Sequence, residues 1–141
     1  MRTIKFRAWD KEYEKMTYFD DEDYEYNPPL VFRLDQVFKK NSNYDDYEDF
    51  EYNDITDKVE VMQFTGLHDK NGKEIYEGDI LQIDIERAWV MWNEKYGYFE
   101  LVPIGDYYFD SDVIGQAIEY TDATVIGNIY ENEELLNETN R

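Results

Sequence analysis

The chain has 141 residues, 34 acidic and 14 basic side chains, a formal charge of −20, 18% aromatics, one histidine and no cysteine. A chain of this length suits one domain that buries its core without staples. The charge excludes a basic face for DNA, RNA or an anionic membrane, and the Cys and His counts exclude disulfides, thiolate chemistry and every two-histidine metal motif.

At the N-terminus Ile4, Phe6 and Ala8 alternate with Lys5, Arg7 and Trp9, which is strand period. Polar Lys11 to Lys15 separates them from a second short strand, Met16 to Phe19, as in a hairpin with a loop longer than two residues. Residues 20–29 form an acidic loop in which Pro28-Pro29 forbids a helix and argues against a central strand. Residues 30–38 fit a short helix through Leu30, Leu34 and Val37/Phe38, or a strand opening at Leu30-Val31-Phe32; strand is the preferred reading. In 40–54 acid alternates loosely with tyrosine and no period is visible, which predicts a mobile or inserted loop able to order on a partner.

From residue 59 the pattern becomes regular. Val59 to Phe64 reads as a strand, and Asn71-Gly72 is a strong turn signal. Asp79 to Glu86 alternates, with Leu81, Ile83 and Ile85 expected inward and Gln82, Asp84 and Glu86 outward. Ala88 to Trp92 and Tyr98 to Val102 are further strands, with a turn at Gly97. Residues 103–112 read as a Pro/Gly/Asp loop, and Val113 to Tyr120 as either a short strand or a helical turn. Thr124 to Tyr130 is β-branched and apolar, with Gly127 placed for a bulge. Asn132 before Glu133, Glu134, Leu135 and Leu136 predicts a capped helical turn.

The expected fold is all-β and mainly antiparallel. It is a small barrel-like or highly twisted sheet with a loop-rich acidic N-terminal insertion and minimal helix. One domain spans 1–141, with 20–57 as an acidic, tyrosine-rich insertion ending at a composition shift near residue 58. No apolar stretch approaches the roughly 18 residues of a membrane span, no apolar run follows the basic N-terminus, and the closing residues are no lipidation box. The expected compartment is therefore the cytoplasm, without membrane attachment.

Three blocks resemble the YopX family, small proteins encoded mostly by phages and prophages. Ile4 to Asp10 resembles its opening, Met62 to Ile80 its most recognisable block, and Thr124 to Asn132 followed by Leu135-Leu136 its close. The resemblance implies a β-rich barrel-like fold and a phage setting. It implies no activity and carries over no site residue. The stretch from 19 to 57 lies between the matching blocks.

Constellations that carry chemistry are weak. His68 beside Asp69 and near Thr65 has the residue types of a base, an orienter and a hydroxyl, but no nucleophile or oxyanion motif accompanies it, so it reads as a turn histidine. Asp110-Ser111-Asp112 opens like a calcium loop, but Ile114 and Thr121 occupy positions where an EF-hand needs oxygen ligands. Asp20-Asp21-Glu22-Asp23 is a bare carboxylate cluster, and no nucleotide or nucleophile-elbow motif is present. No catalytic residue, metal site or cofactor is expected. Trp89 and Trp92 lie three apart in a strand and so face opposite sides.

The distinctive feature is acid mixed with tyrosine: residues 10–60 hold 17 acids against six bases. Such a surface can imitate a phosphate backbone and occupy the basic groove of a nucleic-acid-binding or defence protein, while tyrosines add rigid contact area. Solubility alone is the plainer explanation of the charge. The candidate partner-binding residues are Asp21, Glu22, Asp23 and Tyr24 in the first acidic run, and Tyr44, Asp45, Asp46, Tyr47, Glu48 and Asp49 in the second. The expected function is a non-enzymatic phage accessory protein that binds a basic protein partner and no nucleic acid directly. The alternatives are a self-assembling β domain whose homo-oligomer is its working form, and a carboxylate- or metal-dependent enzyme.

Overall fold

A computed structural model of the chain describes residues 1–19, 30–33, 36–40, 52–106 and 113–137. In chain order it contains β1 (Phe6–Asp10), β2 (Lys15–Tyr18), β3 (Leu30–Arg33), β4 (Gln36–Lys40), β5 (Tyr52–Asp54), β6 (Val59–His68), β7 (Glu74–Tyr76), β8 (Asp79–Ile83), β9 (Glu86–Asn93), β10 (Tyr98–Ile104), α1 (Ile114–Tyr120) and β11 (Thr124–Asn128). Short 3₁₀ turns lie at Thr56–Lys58 and Glu133–Leu136. The strands form three sheets, ordered β2-β1-β6-β7, β10-β9-β8-β11 and β3-β4-β5. The expected all-β, mainly antiparallel architecture with little helix is what the chain adopts.

The chain divides into two compact units, Lys5–Val61 and Met1–Ile4 with Met62–Arg141, so the division falls within β6. In the first unit, Ala8, Val37, Ile55 and Val59 form the core, with Phe19 and Val61 packed against it. Thr56 joins β4 to the turn that follows β5. Its hydroxyl accepts the Val37 amide at 3.0 Å and donates to Asp54. Within 30–38 the described residues, 30–33 and 36–38, are indeed extended, but they belong to two paired strands, with Arg33 opposite Gln36. Tyr52–Asp54, expected inside a loop, pairs with β4 as a third strand.

The second unit packs Ile75, Leu81, Ile83, Ala88, Val90, Phe99 and Leu101 with Ile114, Ala117 and Ala123. Ile114 and Ala117 are one helical turn apart and Ile118 packs beside them, which puts one face of α1 on the sheet. The Thr121 hydroxyl donates to the Ala117 carbonyl at 2.7 Å, at the end of the helix. β8 is an inner strand, and Ile80 and Leu81 are both fully buried. Ile80 and Leu81 face opposite ways, so the inner strand is covered on both faces there.

Several expectations are corrected. Ile4 lies before β1 and is exposed, whereas Arg7, on the opposite side of the alternation, is buried. Ile85, expected inward, is 70% exposed, because the strand ends at Ile83 and Asp84-Ile85 form a two-residue loop before Glu86 opens β9. The Asn132 side chain does not cap the final turn; its Oδ1 accepts the Asn128 amide at 3.2 Å instead. The bulge at Gly127 is present, as a register shift between Val125 and Gly127.

Candidate functional site

Two hairpin loops share one construction. In the first, Asp10 pairs with Lys15 across β1 and β2, and Asp10 Oδ1 accepts the amides of Glu12 and Tyr13, both at 3.0 Å. In the second, Asn93 pairs with Tyr98 across β9 and β10, and Asn93 Oδ1 accepts the amides of Lys95 and Tyr96, again at 3.0 Å. A side-chain oxygen that accepts from residues two and three positions on replaces backbone pairing and holds the loop in one shape. The fourth loop residue is left-handed in both, Glu14 at φ 49 and Gly97 at φ 72.

The third loop residue is tyrosine in both, 65% exposed at Tyr13 and 64% at Tyr96. A lysine stands over each ring. Lys39 Nζ is 4.2 Å from the Tyr13 centroid and 3.9 Å from Asp10 Oδ2, and Lys95 Nζ is 4.8 Å from the Tyr96 centroid. Tyr96 also stacks on Tyr98 at 6.4 Å, and Trp92 meets Phe99 edge-on at 4.9 Å. Trp92 is more than a third exposed and Trp89 is half-buried, so neither belongs to the sealed core. The sequence signal for the two tip tyrosines is the pattern Asp/Asn-x-x-Tyr within a loop, which composition does not reveal.

The possible base, orienter and hydroxyl are not arranged for chemistry. His68 closes β6 rather than standing in a turn. It is exposed, and its ring lies edge-on to Phe64 at 5.6 Å. Asp69 is buried. Its Oδ1 accepts the Asn71 and Lys73 amides at 2.8 and 2.9 Å, and its Oδ2 accepts the Val125 amide at 2.9 Å. Burial alone would raise its pKa. The amides of Val125, Lys73 and Asn71 together with the Lys73 charge outweigh it and hold the carboxyl below its ordinary value. Thr65 donates its hydroxyl to the Ile75 carbonyl at 2.7 Å. Asp69 therefore clips the β6–β7 turn to β11.

Among the described residues no group of three or more His, Cys, Asp or Glu is placed to hold a metal ion, and no helix is long and apolar enough to cross a membrane. The ten acidic and tyrosine residues singled out between Asp21 and Asp49 lie outside the described residues, as does Asp110-Ser111-Asp112.

The family described as "YopX protein" matches residues 5–137. The chain belongs to the YopX family. A similar solved structure is the crystal structure of protein EF1440 from Enterococcus faecalis, 28% identical, with a TM-score of 0.60, covering 96% of this chain and 99% of that one. No curated protein matches the chain. The YopX match spans both compact units, so the hairpins that carry Tyr13 and Tyr96 both fall within it.

Proposed function

We propose that this YopX-family chain is a non-enzymatic phage or prophage accessory protein. It binds a basic protein of the host cytoplasm, one whose own ligand is nucleic acid, through carboxylates and tyrosines. The observation that carries the reading is the charge balance of 20–54, which holds twelve acids and only three bases, Arg33, Lys39 and Lys40. Lys39 already lies beside Asp10, so it offsets an acid outside that segment. A polypeptide so short of compensating cations presents closely spaced negative charge, as a phosphate backbone does, and steers a basic partner at long range. The engagement of Asp69 and Thr65 with backbone groups supports the non-enzymatic part of the reading.

The test is capture from nuclease-treated host lysate on the tagged full chain, with bound proteins identified and eluted by rising salt. The expected result is a basic DNA- or RNA-binding protein that salt releases and duplex DNA competes away. Neutralising Asp45, Asp46 and Asp49 to Asn and Glu48 to Gln is expected to weaken capture. Unchanged capture by that variant would remove this segment as the contact surface. Recovery of only the chain itself would favour the self-assembling alternative.

A further inference from the structure

We propose that Tyr13 and Tyr96 are seats for arginine side chains of the partner. The proposal rests on the basic-partner reading above and adds where, and by what chemistry, part of the contact is made.

Each ring already binds a cation within its own unit, with Lys39 and Lys95 at 4.2 and 4.8 Å from the ring centroids. Both distances lie inside the roughly 6 Å over which a ring quadrupole attracts a cation. The resident lysines show that the ring faces are open to an ammonium and that the surroundings tolerate one there. A guanidinium fits the same face better. It is planar, stacks on the ring and is less strongly hydrated than an ammonium, so an arginine from outside displaces the lysine at little desolvation cost. Carboxylates are at hand for its N–H groups. Exposed Glu14 follows Tyr13, and exposed Glu94 lies two residues before Tyr96.

The loops are built for presentation. The Asp10 and Asn93 side chains fix the backbone that carries each tyrosine, so binding orders little that is not already ordered. Neither ring belongs to a core cluster, so removing it leaves the fold intact. The ring has no formal charge. It therefore contributes to the preference for arginine over lysine and not to the salt dependence, which belongs to the carboxylates.

The test uses fluorescein-labelled nona-arginine and nona-lysine peptides, with anisotropy read at low and moderate salt on the full chain. The wild type is expected to bind nona-arginine several-fold more tightly than nona-lysine. Tyr13→Leu and Tyr96→Leu are each expected to weaken nona-arginine by about two- to five-fold, and nona-lysine by less. The double variant is expected to lose the preference for nona-arginine over nona-lysine, and the Tyr→Phe versions keep it. The salt slope is expected to stay that of the wild type in every case. Undiminished nona-arginine binding by the double Leu variant, with salt-dependent binding intact, would overturn the seats and leave the basic-partner reading standing. Equal weakening for both peptides would also overturn them, since general loss of charge or fold does that. If the wild type bound neither peptide at low salt, the basic-partner reading would fall and the seats with it.

Discussion

Glu14 and Gly97 occupy equivalent positions in two loops of the same construction, and only one of them is the residue that the conformation favours. A side chain held in the left-handed region costs roughly 1–2 kcal/mol, while the greater freedom of an unfolded glycine costs about 0.4–1 kcal/mol. Glu14→Gly is therefore expected to stabilise the chain by up to about 1 kcal/mol, read as a higher urea midpoint with an unchanged slope. Gly97→Ala is expected to do the reverse by a similar amount. A Cβ there meets nothing within 4 Å, so the cost is conformational and not steric. Asp69 is the other residue on which local structure depends. Asp69→Asn removes the charge and leaves a three-amide socket half-matched, at an expected cost of about 1–3 kcal/mol near neutral pH. Because the folded carboxyl titrates below its ordinary value of 3.8, its contribution is complete above that value and is lost as the pH falls through the lower folded pKa. The gap between wild type and Asp69→Asn should thus narrow as the pH is taken below 3.8. A gap equal at neutral and acid pH would show that the charge is not what holds the clip.

At the scale of elements, the sequence showed most of the strands and misplaced some of their ends. The Asn71-Gly72 and Gly97 turns were legible because each needs a positive φ that glycine reaches most easily, and the Gly127 bulge because a Cβ there would collide with the Asn132 side chain. The Asp79–Glu86 run was legible as a strand but not where it stopped, because its alternation continues unbroken through a two-residue loop. Gln82 shows where the chain turns: its side-chain amide donates to the carbonyls of Asp84 and Glu86 at 2.8 and 2.9 Å, spanning the loop. Ile83 and Ile85 therefore have opposite fates despite sharing a face in the pattern. Ile83→Ala is expected to cost about 2–5 kcal/mol, and Ile85→Ala within about 0.5 kcal/mol of nothing, in the same denaturant titration. Comparable losses at both positions would place Ile85 in the core after all. The tip tyrosines were missed for a related reason. Tyrosine favours strands, so Tyr13 and Tyr96 carry no loop signal of their own; the signal lies three residues earlier, in Asp10 and Asn93.

For the whole molecule, the charge is spread more evenly than the acidic run near the N-terminus indicates. Each compact unit holds 17 acids, against eight bases in Lys5–Val61 and six in the remainder. Self-repulsion is therefore a property of both units and not of one segment. Among the described residues of the first unit, ion pairs oppose it at Lys11–Glu60 (3.0 Å), Lys58–Glu12 (3.5 Å) and Lys39–Asp10 (3.9 Å), and their lysines are all substantially exposed. Pairs of that kind contribute about 0.2–1 kcal/mol each and are screened by the same salt that screens the repulsion. Salt thus acts in both directions, and the sign of its effect decides which is larger. With 34 acids against 14 bases, at least 20 carboxylates have no cation to balance them, so raising the ionic strength until the Debye length falls from about 30 Å to about 8 Å is expected to raise Tm. The rise should be smaller in a variant with Asp45, Asp46, Glu48 and Asp49 neutralised, which starts with less repulsion to screen. A wild-type Tm that fell with salt would mean that the ion pairs outweigh the bulk charge. The carboxylates would then be engaged within the fold and not held out for a partner, which would weaken the basic-partner reading at its physical root.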